Sequence, residues 1–239
     1  MSSRNSVFDT KTLAETWQGA ASIIDHTNLR PEATPAQIVR LCEEAREFGF
    51  AAVMINPCHV ALASSQLRGS AIKVGAVVGF PFGATLTSVK VFETKEALRL
   101  GAREIDMVIN IGALKAGESD RVRSDIRALA ELVHADGALL KVILEMGLLT
   151  QEEKVLACQL SESSGADFVK TSTGFLGGGA TVEDVALMRR ALTIGVKASG
   201  GIRTARDAKA MIHAGASRLG TSSGVAIIGE LRGSAAGAK

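Results

Sequence analysis

Residues 87–110 read TSVKVFETKEALRLGAREIDMVIN, and they hold the pattern of the whole chain in miniature. Up to Leu100 the apolar residues Val89, Phe92, Ala97 and Leu100 recur near helical spacing, which predicts a helix with those four on its apolar face. Gly101 follows. Glycine is the usual residue just past a helix end, because the chain there takes up a positive φ that costs energy for any residue with a Cβ. Then comes EIDMVIN, short, apolar and β-rich. One helix, one glycine and one strand fill 24 residues.

Working outward, the same mark recurs at Gly19, Gly49, Gly69, Gly137, Gly165, Gly195 and Gly215. The runs after these glycines are SIIDHTNL, AAVMINP, IKVGAVVGF, LLKVILEM, FVKTSTG, VKASGG and RLGTSSG. Most are nearly continuous in aliphatic residues, as expected of strands covered on both faces. The stretches between them carry helix signals: PEATPAQIVRLCEEAREFG spaces Ile38, Leu41, Ala45 and Phe48 along one face. Thr150 and Thr181 each precede acidic residues, a helix-start signature in which the hydroxyl caps free N–H groups. Alternating strand and helix means parallel strands joined by right-handed crossovers. Eight such units predict an α/β fold, a single (β/α)8 TIM barrel over residues 1–239, with 1–18 and 230–239 as peripheral extensions. An open doubly wound sheet is the runner-up, but no GxGxxG follows the first strand.

Composition narrows the function classes. At 239 residues and 46% hydrophobic content the chain can build a core without staples. With 27 basic and 25 acidic residues the net charge is +2, and eight Phe, one Trp and no Tyr leave few platforms for stacking bases; nucleic acid is not an expected partner. The three cysteines, Cys42, Cys58 and Cys158, form no CxxC pair, so neither a disulfide framework nor a zinc ribbon is expected. Cys42 and Cys158 read as small buried hydrophobes, Cys58 as a rim thiol. Residues 1–20 lack the apolar stretch of a signal peptide, and Val74–Leu86 is too short to span a bilayer. The expectation is a soluble, cytoplasmic protein.

Several strands carry charges they do not need for folding. Asp106, Lys141, Lys170 and Lys197 fall within the fourth to seventh strands. One such lysine would most simply snorkel outward to solvent; an aligned set with a carboxylate nearby favours the interior. Two ammonium groups roughly 6 Å apart repel by about 2.8 kcal/mol at an effective dielectric of about 20. That corresponds to about two pKa units, before burial adds its own downward push. A neutral amine attacks carbonyl carbon to form a Schiff base, and a second cation is one way to obtain it. The sequence thus predicts Lys170 as nucleophile, Lys197 as the perturbing cation and proton carrier, and Asp106 as proton relay. Both lysines precede Gly-rich loops at the strand ends where barrel active sites sit, so spacing leaves the reverse assignment open.

The loops TSTGFLGGG, SGGIRT and GTSSG suggest an anion seat. Gly200 and Gly201 let backbone N–H groups approach a phosphate, Arg203 adds charge, and Ser222 and Ser223 add hydroxyl donors. For any one loop, ordinary turn glycine is at least as good a reading; two consecutive loops where barrels bind phosphate shift the balance. Asp25 is a candidate for a substrate hydroxyl or a loop cap, and Lys141 for substrate or phosphate binding. A rim metal site from His26, His59 and a carboxylate has no HxH or HExxH spacing behind it, so no metal and no cofactor are expected.

The stretches IDHTNL, VGFPFGAT, EIDMVINIGALKAG, LKVILE, FVKTSTGF, VKASGGIRT and GTSSG, in this order from about Ile23 to Ser223, resemble the deoxyribose-phosphate aldolase family. The resemblance implies a metal-free class I aldolase with a barrel fold that reversibly cleaves 2-deoxy-D-ribose 5-phosphate to acetaldehyde and D-glyceraldehyde 3-phosphate. The family's Schiff-base lysine falls on Lys170, its activating lysine on Lys197 and its proton-relaying aspartate on Asp106; its phosphate-binding elements fall on Gly174, Gly200, Gly201, Arg203 and Ser222. The expected mechanism breaks the C3–C4 bond, with the proton leaving the C3 hydroxyl. Two departures stand out: the chain has no Tyr, and Phe175 stands where some members have Lys. The partners expected are small phosphorylated sugar and aldehyde substrates, with room for a homo-oligomer and no membrane. Rival readings are another barrel enzyme on a phosphorylated sugar, an isomerase or a metal-dependent aldolase, and a non-catalytic sugar-phosphate-binding protein.

Overall fold

Threonines and glycines set the helix boundaries that the sequence marks. In the computed structural model, which describes residues 16–236, Thr34, Thr150, Thr181 and Thr204 each accept a backbone N–H from the first turn of the helix that follows. Three of them form full capping boxes, with Gln37, Glu153 and Asp207. Gly49, Gly69, Gly101, Gly137, Gly165 and Gly215 all have φ between 67° and 111°. Two glycines differ from expectation: Gly19 lies inside a helix and Gly195 opens a strand.

The elements run in this order: α1 (Trp17–Ala21), β1 (Ile24–Asn28), α2 (Pro35–Phe48), β2 (Ala52–Ile55), α3 (Val60–Gln66), β3 (Lys73–Val78) and α4 (Thr87–Arg99). After these come β4 (Glu104–Val108), α5 (Ile111–Lys115), α6 (Ser119–Ala135), β5 (Leu139–Ile143), α7 (Gln151–Ser163), β6 (Phe168–Lys170) and α8 (Val182–Ala191). β7 (Gly195–Ser199), α9 (Ala205–His213), β8 (Arg218–Thr221) and α10 (Gly224–Ala236) are the last of the described elements. The eight strands pair in sequence order, all parallel, and β8 closes on β1. The architecture is the (β/α)8 barrel. The two stretches expected to be peripheral are partly built in: Trp17 packs against the core, Leu231 is buried, and Arg232 lies over the Trp17 ring. Residues 1–15 and 237–239 of those stretches lie outside the described residues.

Most of the aliphatic core lies between the barrel wall and its helices. Inside the wall, among the described residues, Leu29, Met54 and Val77 form a small apolar cluster, with Phe80 against it. The rest of the interior mixes long charged side chains with Val108, Ile143 and the half-buried Phe168, which share the inward faces of their strands with Asp106, Lys141 and Lys170, and glycines make room for both kinds. A Cβ on Gly220 would lie 3.0 Å from Lys197 Cε, and one on Gly195 would lie 2.3 Å from the Phe168 ring.

The helix of the opening stretch keeps half of its predicted face, with Ala97 buried and Leu100 packed against the core, and departs from it in the other half. In α4, Val89 and Phe92 are exposed, while Lys90, Thr94, Ala97 and Leu98 are buried. Lys90 turns inward because two acceptors wait there: its Nζ donates to Val108 O at 2.9 Å and to Asp125 Oδ2 at 2.6 Å. A cation with partners on both β4 and α6 outcompetes a hydrophobic stripe for the inner face.

Candidate active site

The register sets the charged layer. Asp106 stands beside Lys141 across β4 and β5, and Lys170 beside Lys197 across β6 and β7. Strands alternate their side chains between faces, and these four point inward, each 2% exposed or less. Lys170 Nζ donates to Asp106 Oδ2 at 3.0 Å, and Lys197 Nζ to the same oxygen at 2.7 Å. The two amines therefore share one acceptor on one side of the wall.

Around this pair lies a network that the sequence reading did not assemble. Lys197 also donates to Asp25. Lys141 bridges Glu104 at 2.5 Å and Asp106 at 2.9 Å. Arg218 spans Asp25 at 2.7 Å and Glu104 at 3.2 Å. Glu104 and Arg218 were missed because each sits at the first residue of its strand, where a charge ordinarily reads as solvent-facing; the register of β4 and β8 carries them inside.

Burial pushes the Lys170 ammonium down, Asp106 pulls it back up, and Lys197 and Lys141 push it down again; the outcome is a pKa of about 8. Burial thus leads, where the sequence argument gave first place to lysine–lysine repulsion. The carboxylates go the other way. Burial raises the pKa of Asp106, but Lys141, Lys197 and Lys170 outweigh it and hold the group well below its ordinary value. Asp25 is held low in the same manner by Lys197, Lys141 and Arg218. Burial lowers the Lys141 pKa, but Asp106, Glu104 and Asp25 more than reverse this. Within one cage, one lysine is eased toward neutrality and another is locked as a cation.

Above the cage opens a cavity of about 450 Å³ at the C-terminal end of the strands, and Lys170 forms part of its floor. Gly174, Gly200, Gly201, Arg203 and Ser222 all line it. Gly174, Gly200 and Gly201 have φ of 83°, 90° and 80°, values a Cβ-bearing residue takes up only with strain. Gly179 and Gly200 touch backbone to backbone: a Cβ on Gly179 would lie 2.8 Å from Gly200 O. Thr173, Ser199 and Arg30 also line the cavity. The hydroxyls of the first two were legible as part of the same loops, and Arg30 follows β1 at the same rim.

Three expected contributors lie elsewhere. Asp25 and Lys141 are fully enclosed beneath the cavity and paired with each other's neighbours. The substrate-binding role expected of them does not match this placement, because the network consumes their polar atoms. Ser223 does not line the cavity; its N–H donates to Thr221 Oγ1 at the start of α10. His26, considered for a metal, meets Glu44 at 2.7 Å instead. Among the described residues no group of three or more His, Cys, Asp or Glu is placed to hold a metal ion. None of the described helices is long and apolar enough to cross a membrane.

Comparison with known proteins agrees with this architecture. The family model of the DeoC/LacD family aldolase matches residues 12–230. A deoxyribose-phosphate aldolase from a Geobacillus species is 59% identical over 210 residues, 87% of this chain and 94% of that one. One from Streptococcus gordonii is 61% identical over 208 residues, 86% and 93% of the two chains. A solved tetrameric structure of deoxyribose phosphate aldolase from Aeropyrum pernix superposes with a TM-score of 0.86 at 32% identity, covering 95% of this chain and 98% of that one.

Proposed function

This chain belongs to the DeoC/LacD family of aldolases, and from that premise we propose that it reversibly cleaves 2-deoxy-D-ribose 5-phosphate to acetaldehyde and D-glyceraldehyde 3-phosphate through a Schiff base on Lys170. One observation carries the assignment. Lys170, an amine of lowered pKa, lines the same cavity as Gly174, Gly200 and Gly201, three glycines of positive φ whose backbone N–H groups suit an anion.

In this reading the neutral Lys170 amine adds to C1 of the open-chain sugar, and with one proton supplied by the Lys197–Asp106 pair water leaves, giving a protonated imine. The C3 hydroxyl gives up its proton, through water held by Asp106 and Lys197, and its oxygen becomes the carbonyl of the departing aldehyde. Carbon balance moves the cleavage from C3–C4, the bond named from the sequence, to C2–C3. Acetaldehyde carries off two carbons, whereas a break at C3–C4 would release three. The C2–C3 electron pair passes to the iminium, forming an enamine, and protonation at C2 followed by hydrolysis frees acetaldehyde and the amine. The chain has no Tyr, so that proton comes from water or from the Lys197–Asp106 pair. Phe175 leaves the phosphate to backbone N–H groups, Ser222 and Arg203.

Borohydride added with acetaldehyde, followed by peptide mass spectrometry, tests the chemistry. The expected result is a reduced two-carbon adduct on Lys170, lost in Lys170→Leu. An isomerase, a metal-dependent aldolase or a binding protein leaves no adduct, and wild-type turnover in the Leu variant would refute the assignment.

We further infer that the chain works as one barrel domain in the cytoplasm, where its free cysteines would stay reduced, and as a homo-oligomer. The tetrameric Aeropyrum relative supports the last point. So do Phe82, Leu86, Val89 and Phe92, large apolar side chains exposed within one short stretch.

A further inference from the structure

Glu145, just beyond β5, is the only non-glycine residue with positive φ among the described residues, at 57°. Left-handed backbone costs a Cβ-bearing residue energy and persists where the surroundings impose it. The side chain shows what is gained. It is 1% exposed, and its Oε2 accepts the N–H of Thr173 at 3.0 Å. Its Oε1 is buried with no hydrogen-bond partner and faces the glycine loop; a Cβ on Gly178 would lie 3.8 Å from it. Thr173 Oγ1 in turn accepts the N–H of Phe175 at 3.1 Å. With its oxygen engaged this way, the Thr173 hydroxyl keeps its proton for a group in the cavity it lines.

We propose that Glu145 is a positioning residue for the phosphate end of the substrate. Its carboxylate fixes Thr173, orients that hydroxyl toward the anion, and offers its free oxygen to a backbone N–H of the 177–179 stretch when the loop settles on the phosphate. A buried acceptor without a partner is costly, so satisfying it as the loop closes ties the carboxylate to anion binding. The carboxylate acts through Thr173 and does not touch the reacting carbons. This inference rests on the aldolase reading for its substrate, but its anion arm can be measured without that chemistry.

The test compares Glu145→Asn with Glu145→Gln. Asn tolerates positive φ and is one methylene too short to hold Thr173; Gln keeps the reach and an accepting oxygen. KM and kcat are measured with 2-deoxyribose 5-phosphate and with unphosphorylated 2-deoxyribose, and inorganic phosphate is titrated by calorimetry. For Glu145→Asn the expected result is a KM for the phosphorylated sugar, and a phosphate Kd, each raised about tenfold, the weight of one hydrogen bond. Its kcat should stay within about threefold, kcat/KM for 2-deoxyribose should be unchanged, and Glu145→Gln, which keeps the contact to Thr173 but carries an amide N–H where the second oxygen stood, should fall between the parent and Glu145→Asn. Equal losses on both sugars, an unchanged phosphate Kd, or a Gln variant as impaired as Asn would overturn the proposal. Glu145→Gly, the residue freest at this φ, takes the place of Asn if that variant does not fold. Failure to trap any adduct on Lys170 would sink the aldolase reading alone, since the phosphate titration still decides the role of Glu145.

Discussion

Four cations, Lys141, Lys170, Lys197 and Arg218, meet three carboxylates, Asp25, Glu104 and Asp106, inside the described barrel. A low-dielectric interior resists the surplus charge, and Lys170 is the natural donor of the proton that restores balance. It has one carboxylate contact and shares that oxygen with Lys197, whereas Lys141 reaches three carboxylates. With its pKa near 8, roughly one Lys170 in ten is neutral at pH 7. Because the reactive form is the deprotonated one, kcat/KM should climb about tenfold per unit below pH 7 and level off above about pH 8. Lys197→Met removes a cation that pushes Lys170 down and leaves three charges facing three. Lys170 then keeps its proton, and the rising limb should move to higher pH by about one unit or more. A pH–rate profile that stays in place would show that Lys197 does not activate the amine.

At the scale of elements, α4 shows that a buried charge can serve the fold rather than the reaction. Lys90 ties α4 to the end of β4 and to α6, and its stem packs beside Gly79, where a Cβ would come within 2.9 Å of it. Lys90→Met leaves Asp125 buried without its cation, and breaking a buried pair from one side costs about 3–5 kcal/mol. The expected outcome is an unfolding free energy, from denaturant titration, lowered by that amount, with the Lys170 adduct still formed in the folded fraction; a stability unchanged within error would refute the anchoring role. The same helix marks where the sequence stops being readable. Glycine breaks and threonine caps are local, so the eight strand–helix units could be read off directly. Lys170, Lys197 and Asp106 announced themselves as charges inside aliphatic strands, and the glycine loops by composition. The inward turn of Lys90 depends on Asp125, thirty-five positions away, and the cage depends on strand register. Neither periodicity nor spacing encodes such contacts, so Glu104, Arg218 and Glu145 passed unnoticed, and Asp25 and Lys141 were assigned to substrate rather than to the network that holds them.

The outward turn of Val89 and Phe92 on α4, with Phe82 and Leu86 exposed in the loop before it, bears on the whole molecule. Phe82, Leu86, Val89 and Phe92 are 63%, 64%, 47% and 67% exposed. With an aromatic side chain offering about 150–250 Å², the four together present roughly 400 Å². Gathered on one face, that area would match the largest apolar patch of a typical monomer. It also approximates the apolar share of a standard interface, in which each partner buries about 800 Å², a little over half of it apolar. Arg121, beside the same loop at an open cleft with Asn110 and Leu86, supplies a polar rim of the kind that surrounds such cores. A second copy of the chain fits these dimensions, and light scattering on the purified protein should give a mass of at least two chains at micromolar concentration. Leu86→Glu combined with Phe92→Glu places two carboxylates in the patch and should reduce that mass to one chain. The Lys170 adduct should still form, because neither residue lines the cavity. A parent protein already at single-chain mass, or a double variant that stays assembled, would show that this face is not where copies meet.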